Sequence, residues 1–132
     1  MLKQINSKRQ GNVGIARAIL WYTEHGYIIS LPLTDSQPYD LIVDIDSVLK
    51  RIQVKTATTK RNNSFVVHLR SMSNVKGSKL RIRFLSENDA DFVFIATEKD
   101  NYIIPIKILV GMSMVTLSSK YDEYKITAGS KE

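Results

Sequence analysis

Apolar and polar positions alternate with two different periods along this chain, and the changes of period mark its elements. Val13, Ala16, Ile19, Leu20 and Thr23 recur at helical spacing. They predict an amphipathic helix from Val13 to His25, with Asn12 as its cap and Gly26 as its stop. From Tyr27 the period shortens to two. Strands are expected over Tyr27 to Leu33, Tyr39 to Ile45 and Val48 to Thr56, separated by the loop Thr34-Asp35-Ser36-Gln37-Pro38 and the turn Asp46-Ser47. A helix followed by a β-meander results.

The second half is less regular. Ala57 to Ser64 is polar and basic, Phe65 to Leu69 reads as a strand, and Ser71 to Ser78 has the Ser, Asn and Gly content of a loop. Leu80 to Leu85 suits a strand or a helix equally. Phe92 to Thr97 and Tyr102 to Ile106 predict a hairpin across Glu98 to Asn101, with Pro105 at an edge or a strand end. Lys107 to Met112 fits one helical turn, and Met114 to Leu117 a short strand. No repeat or interdomain linker interrupts this order, so the expectation is one α/β domain, residues 1–132, with a mixed β-sheet and an N-terminal helix.

A chain of 132 residues holds a real core without covalent staples. It has no cysteine, which excludes disulfides, thiolate metal sites and a cysteine nucleophile, and two histidines make a poor basis for a metal site. The opening MLKQINSKRQ lacks the apolar core of a signal peptide, and no run approaches the ~20 apolar residues of a membrane span. A soluble, cytoplasmic protein is expected.

The net charge of +6 is unevenly spread. From Ser47 to Ser86 there are ten Lys or Arg and no acid, and Met1 to Arg17 is likewise acid-free. Such segregation suits a polyanion, since clustered cations neutralise phosphates and release counterions. Charge alone describes a well-solvated basic surface equally well; if the partner is nucleic acid, Lys60, Arg61, Arg70, Lys76, Lys79, Arg81 and Arg83 are the expected DNA contacts. A β-ribbon over Ala57 to Arg70 would suit a major groove, with Asn62 and Asn63 first of all as turn residues. A membrane surface fits less well, because these cations sit among β-branched segments and not along a helix face.

In the third strand Gln53 and Lys55 point to one face while Ile52, Val54 and Thr56 point to the other. Asp40 opens the neighbouring strand. If the strands pair, a carboxylate, an amide oxygen and an ammonium meet at a sheet end, where the Val54 carbonyl adds another hard oxygen. Oxygen ligands of this kind hold Mg²⁺ for phosphodiester hydrolysis, with a lysine to position or activate the nucleophile. Spacing alone equally describes the wet face of an amphipathic strand preceded by a loop-ending Asp.

Wider context narrows the choice. The helix opening G-N-V-G, then H-G-Y-I-I-S-L-P, Q-P-Y-D-L-I-V-D and R-I-Q-V-K-T-A, and later D-F-V-F-I-A-T and N-Y-I-I-P-I, resemble the PD-(D/E)xK nucleases. Among these the chain is most similar to the small homing endonucleases of group I introns, in which Gln replaces the usual acid. The resemblance implies a restriction-endonuclease-like fold and Mg²⁺-dependent cutting of double-stranded DNA. It implies Asp40 and Gln53 as metal ligands, Lys55 as the catalytic lysine, and a homo-oligomer, dimer or tetramer, that cuts both strands. It also exposes a departure: the glutamate usual on the first helix corresponds to Ile15, which offers no ligand. A catalytically silent DNA-binding protein and a Holliday-junction resolvase are the competing readings on the same fold. Elsewhere, His68 is expected at the surface or an interface, His25 as a dipole contact at the helix end, and Trp21, Tyr22 and Tyr27 in the core.

Overall fold

The structure, a computed structural model, describes residues 7–75 and 79–126, with side chains over 8–70 and 83–126. Helix α1 spans Ser7–Glu24 and so begins well before the expected cap; Asn12 lies inside it and is exposed. Ser7 to Gln10 contains no helix breaker, so the turn simply propagates upstream. The two glycines that read as a helix opening have another cause at Gly14. A Cβ there would lie 2.6 Å from Thr56 Oγ1 and 3.2 Å from Val54 Cγ1, so a glycine is what lets the helix lie on the sheet. Thr56 in turn donates to the Gln10 carbonyl at 3.2 Å. Helix α1 ends as expected. Gly26 adopts φ 82°, its N–H reaches the Thr23 carbonyl, and the Tyr27 N–H reaches that of Tyr22, which is a Schellman closure. His25 stacks on Trp21 and places Nδ1 2.8 Å from the Trp21 carbonyl at this helix end.

Strand β1 is Ile28–Ser30, shorter than expected because Pro32 cannot donate to a ladder. It pairs antiparallel with β2, Leu41–Ile45, which pairs antiparallel with β3, Val48–Thr56. Asp46 and Ser47 between them both have positive φ, the tight hairpin geometry. Strands β4, Thr59–Arg61, and β5, Ser64–His68, form a second hairpin whose turn residues Asn62 and Asn63 also have positive φ. The segment expected as a loop from Ser71 is instead strand β6, Ser71–Val75, paired with β7, Lys79–Arg83. Polar Ser and Asn are compatible with a strand when a partner supplies the ladder, and that partner is invisible to local propensity. The pairing also decides the undecided segment in favour of strand as far as Arg83, with Phe84 and Leu85 beyond the strand.

Strands β8, Phe92–Ala96, and β9, Asn101–Pro105, make the expected hairpin, and Pro105 ends its strand at the start of α2, Ile106–Leu109. Strand β10, Met114–Thr116, joins β5, and a 3-10 turn at Ser119–Tyr124 leads to β11, Lys125–Ile126, beside β9. The main sheet runs β1-β2-β3-β8-β9-β11, mixed because β3 and β8 are parallel. Helix α1 covers one face through Ala18, Trp21 and Tyr22 against Leu41, Val43, Ile52 and Phe94. The other face is covered at β8 and β9, where Val93, Ile95 and Ile104 meet Val67 and Leu69 of the second sheet. Asp91 locks the entry to β8: its N–H donates to the Arg51 carbonyl, and its carboxylate accepts from the Arg51 N–H at 2.8 Å and from Nε at 3.3 Å.

The Gly14 contact yields a direct expectation. Ala is the better helix former, yet Gly14→Ala should lower stability by about 1–3 kcal/mol, because overpacking against β-branched neighbours exceeds the helix gain of about 1 kcal/mol. Urea denaturation checks it. Adding Thr56→Ala should recover part of the loss, whereas additive losses would exclude the contact as the cause.

Candidate active site

The β2–β3 register builds the site. Leu41 faces Ile52, and the Asp40 N–H donates to the same Ile52 carbonyl at 2.8 Å, so Asp40 sits just before β2 against the Ile52–Val54 edge of β3. Gln53 and Lys55, two places apart on β3, share one face, and the charges of Asp40 and Lys55 act on each other. Asp40 Oδ2 accepts the Val54 N–H at 2.7 Å. Alternation along a strand directs the Val54 carbonyl to that same edge, where β2 has ended and no ladder partner follows.

Burial sets the electrostatics. It raises the Asp40 carboxyl above its usual range, with the Val54 N–H and the Lys55 charge pulling the other way. It lowers Lys55, opposed by the charge of Asp40. Both shifts favour a neutral pair, and both have desolvation as the dominant cause. Lys55 is thus easier to deprotonate than a surface lysine. Gln53 Oε1 is buried and has no hydrogen-bond partner among the described residues. An orphaned acceptor beside a carboxylate and a main-chain carbonyl is a hard-oxygen donor set, which fits a divalent cation. Among the described residues no three His, Cys, Asp or Glu cluster in a way that could hold a metal. Asp40 is the only carboxylate of the donor set.

Beside Asp40 opens a cleft of about 250 Å³, also lined by Ile15, Leu31, Pro32, Asp35 and Tyr39. Ile15 of α1 thus lines the same cleft as Asp40. Asp35 and Tyr39 were missed by sequence reasoning: both belong to the β1–β2 connection, and no local pattern announces that it folds back over the end of the sheet.

The basic residues divide. Arg61 and Arg70 are exposed, and Lys60, also exposed, holds its ammonium 4.9 Å above the Phe65 ring. Arg83 donates to the buried Asp89 at 2.5 Å, and Asp89 also accepts the Ser86 N–H, so this arginine has a structural task. Lys79 and Arg81 occupy alternate positions of β7, their side chains outside the described set, and Lys76 lies outside the described residues. His68 is exposed, while Trp21 and Tyr22 are core.

Residues 5–126 match the family model described as PD-(D/E)XK endonuclease. The chain belongs to the PD-(D/E)XK endonucleases. Its fold is also that of a bacterial homing endonuclease, I-Ssp6803I, with a TM-score of 0.81 at 22% identity over 92% of this chain and 89% of that one. No curated protein matches the sequence. PD-(D/E)XK endonucleases are divalent-metal nucleases of restriction-endonuclease-like fold, and the hard-oxygen set at the end of β2 and β3 is compatible with that chemistry.

Proposed function

We propose that this protein is a Mg²⁺-dependent, site-specific endonuclease of double-stranded DNA, of the homing type and working as a homo-oligomer in the cytoplasm. The observation that carries the reading is the buried, partnerless Gln53 Oε1 on the same face of β3 as Lys55, with the Asp40 carboxylate held on the Val54 N–H between these two positions. Asp40, Gln53 and the Val54 carbonyl would hold the ion, and the bound ion would polarise the phosphate and acidify water. Lys55, its ammonium weakened by burial, positions the attacking water and is poised to accept a proton from it. Asp40 keeps Lys55 in place by charge. No helix of the described residues is long and apolar enough to cross a membrane. Cleavage of plasmid DNA in Mg²⁺ but not in EDTA tests the reading, and preference for a four-way junction over linear duplex would redirect it to a resolvase.

One observation favours a second reading. Ile15 lines the cleft where a carboxylate would complete the metal shell, so a protein that binds DNA without cutting it is supported by that position. Binding with no Mg²⁺-dependent cleavage of any duplex or junction would establish it.

The DNA footprint has its own test. Log affinity should fall steeply with log salt, by about 0.9 per neutralised phosphate, and Arg61→Ala should flatten the slope by about one unit if it contacts phosphate. Arg83→Ala should instead lower stability, since it strands the buried Asp89 carboxylate. A near-zero slope for the parent protein, measured by filter binding, would rule out the electrostatic footprint.

A further inference from the structure

The connection Leu31 to Pro38 carries an unusual display. Leu33 is 102% exposed and Leu31 58%, so neither contributes much to the core, and such values describe side chains raised on a convex tip. The tip is braced. Thr34 Oγ1 donates to Gln37 Oε1 at 2.8 Å while Gln37 Nε2 donates to the Thr34 carbonyl at 2.6 Å. The rings of Pro32 and Pro38 fix two further φ angles. This bracing holds the leucine out in water, where it gains nothing for the fold.

Place and charge say what it would meet. Leu31, Pro32 and Thr34 line the same cleft as Asp40, so Leu33 between them is raised at the rim of the cleft beside the proposed metal site. The segment LPLTDSQP has no cation and one acid, so it offers a phosphate nothing. Next to a phosphate-cutting centre, the surface left for an aliphatic tip is the stacked bases. A single raised leucine is also far smaller than the roughly 800 Å² per partner of a standard protein interface.

We propose that Leu33 is a wedge that enters a base step next to the cleft of Asp40, resting on the nuclease reading above. A side chain inserted between bases unstacks and kinks the duplex. Site choice then depends on how easily that step deforms, so flexible pyrimidine–purine steps are favoured without a hydrogen bond to any base edge. The braced loop reduces the ordering entropy lost on insertion.

The experiment uses closed circular plasmid, a metal-independent type I topoisomerase and EDTA, with protein at saturating concentration by filter binding. The parent protein should change the linking number of the relaxed plasmid. Leu33→Met should retain most of that change and Leu33→Ala lose most of it, with the thermal midpoint unaltered because the side chain is exposed. No linking-number change under bound parent protein, or an undiminished change with Leu33→Ala, overturns the wedge. Loss of unwinding together with loss of self-association in sedimentation also overturns it, and assigns the leucine to a contact between copies. Plasmid cleavage in Mg²⁺ separates the two readings: cutting without unwinding removes the wedge alone, and unwinding without cutting removes the nuclease alone.

Discussion

Asp40→Asn and Lys55→Met should each lower Mg²⁺-dependent cleavage by about 100-fold or more while leaving the fold intact, the range seen when a positioned proton-transfer group is removed. The two losses have different causes. Asp40 is the only carboxylate among the proposed ligands, so its amide should weaken metal binding. Lys55→Met keeps the aliphatic stem and removes the ammonium, so metal binding should persist while the chemical step fails. Stability should move the other way. Burial raises the Asp40 carboxyl and lowers the Lys55 ammonium, so the charged forms are held at a cost to the native state. A group with its folded pKa raised in this way stabilises the native state more as pH falls, which is the reverse of an ordinary ion-paired Asp. Asn retains an oxygen for the Val54 N–H and carries no charge, so Asp40→Asn should unfold at an equal or higher temperature near neutral pH. Calorimetric Mg²⁺ titration, single-turnover cleavage and thermal unfolding together check these expectations. Undiminished cleavage by either variant removes the assignment.

What the chain reveals on inspection and what it hides follow from the range of the forces involved. The β2–β3 hairpin is written locally, in apolar alternation and a two-residue turn at Asp46 and Ser47, so the approach of Asp40 to β3, where it takes the Val54 N–H, could be anticipated from periodicity. Helix α1 was legible in its C-terminal half because Gly26 closes it. Its start was not, because Gly11 and Gly14 carry the same signal whether they open a helix or let one approach a sheet. Strand β6 was hidden for a related reason: Ser71, Ser73 and Asn74 acquire a ladder only from β7. The task of Arg83 was equally invisible, since its carboxylate partner, Asp89, lies beyond the acid-free stretch that made Arg83 resemble a DNA contact. The cleft beside Asp40 is the strongest case. It depends on a connection that folds back to place Asp35, Tyr39 and Leu31 near a helix residue far earlier in the chain, and only packing reports that.

On the proposed reading Ile15 decides between cutting and mere binding, and Ile15→Glu should raise Mg²⁺ affinity by about 10-fold or more. The side chain already lines the cleft with Asp40, and Gly14 holds this turn of α1 against Thr56 and Val54, so a longer carboxylate there has both proximity and a fixed base. At an effective dielectric near 20, a unit charge about 4 Å from another contributes roughly 4 kcal/mol, and a divalent ion more. Repulsion from Asp40, and from Asp35 on the same cleft, returns part of this gain in the metal-free protein. Affinity change near 10-fold, about 1.4 kcal/mol, is therefore a conservative net. Without metal the variant should be less stable by about 1–2 kcal/mol, since a partly buried isoleucine that packs with the α1 cluster gives way to a charge beside other acids. Added Mg²⁺ should restore the midpoint, because an ion bound only by the native state stabilises it by mass action. Cleavage should rise with occupancy if the chemistry of Lys55 is otherwise intact. Higher affinity with no gain in cutting would place the defect downstream of the ion. Unchanged affinity in a folded variant would show that residue 15 lies beyond the metal's reach, and the absence of an acid there would then no longer argue for a protein that only binds DNA.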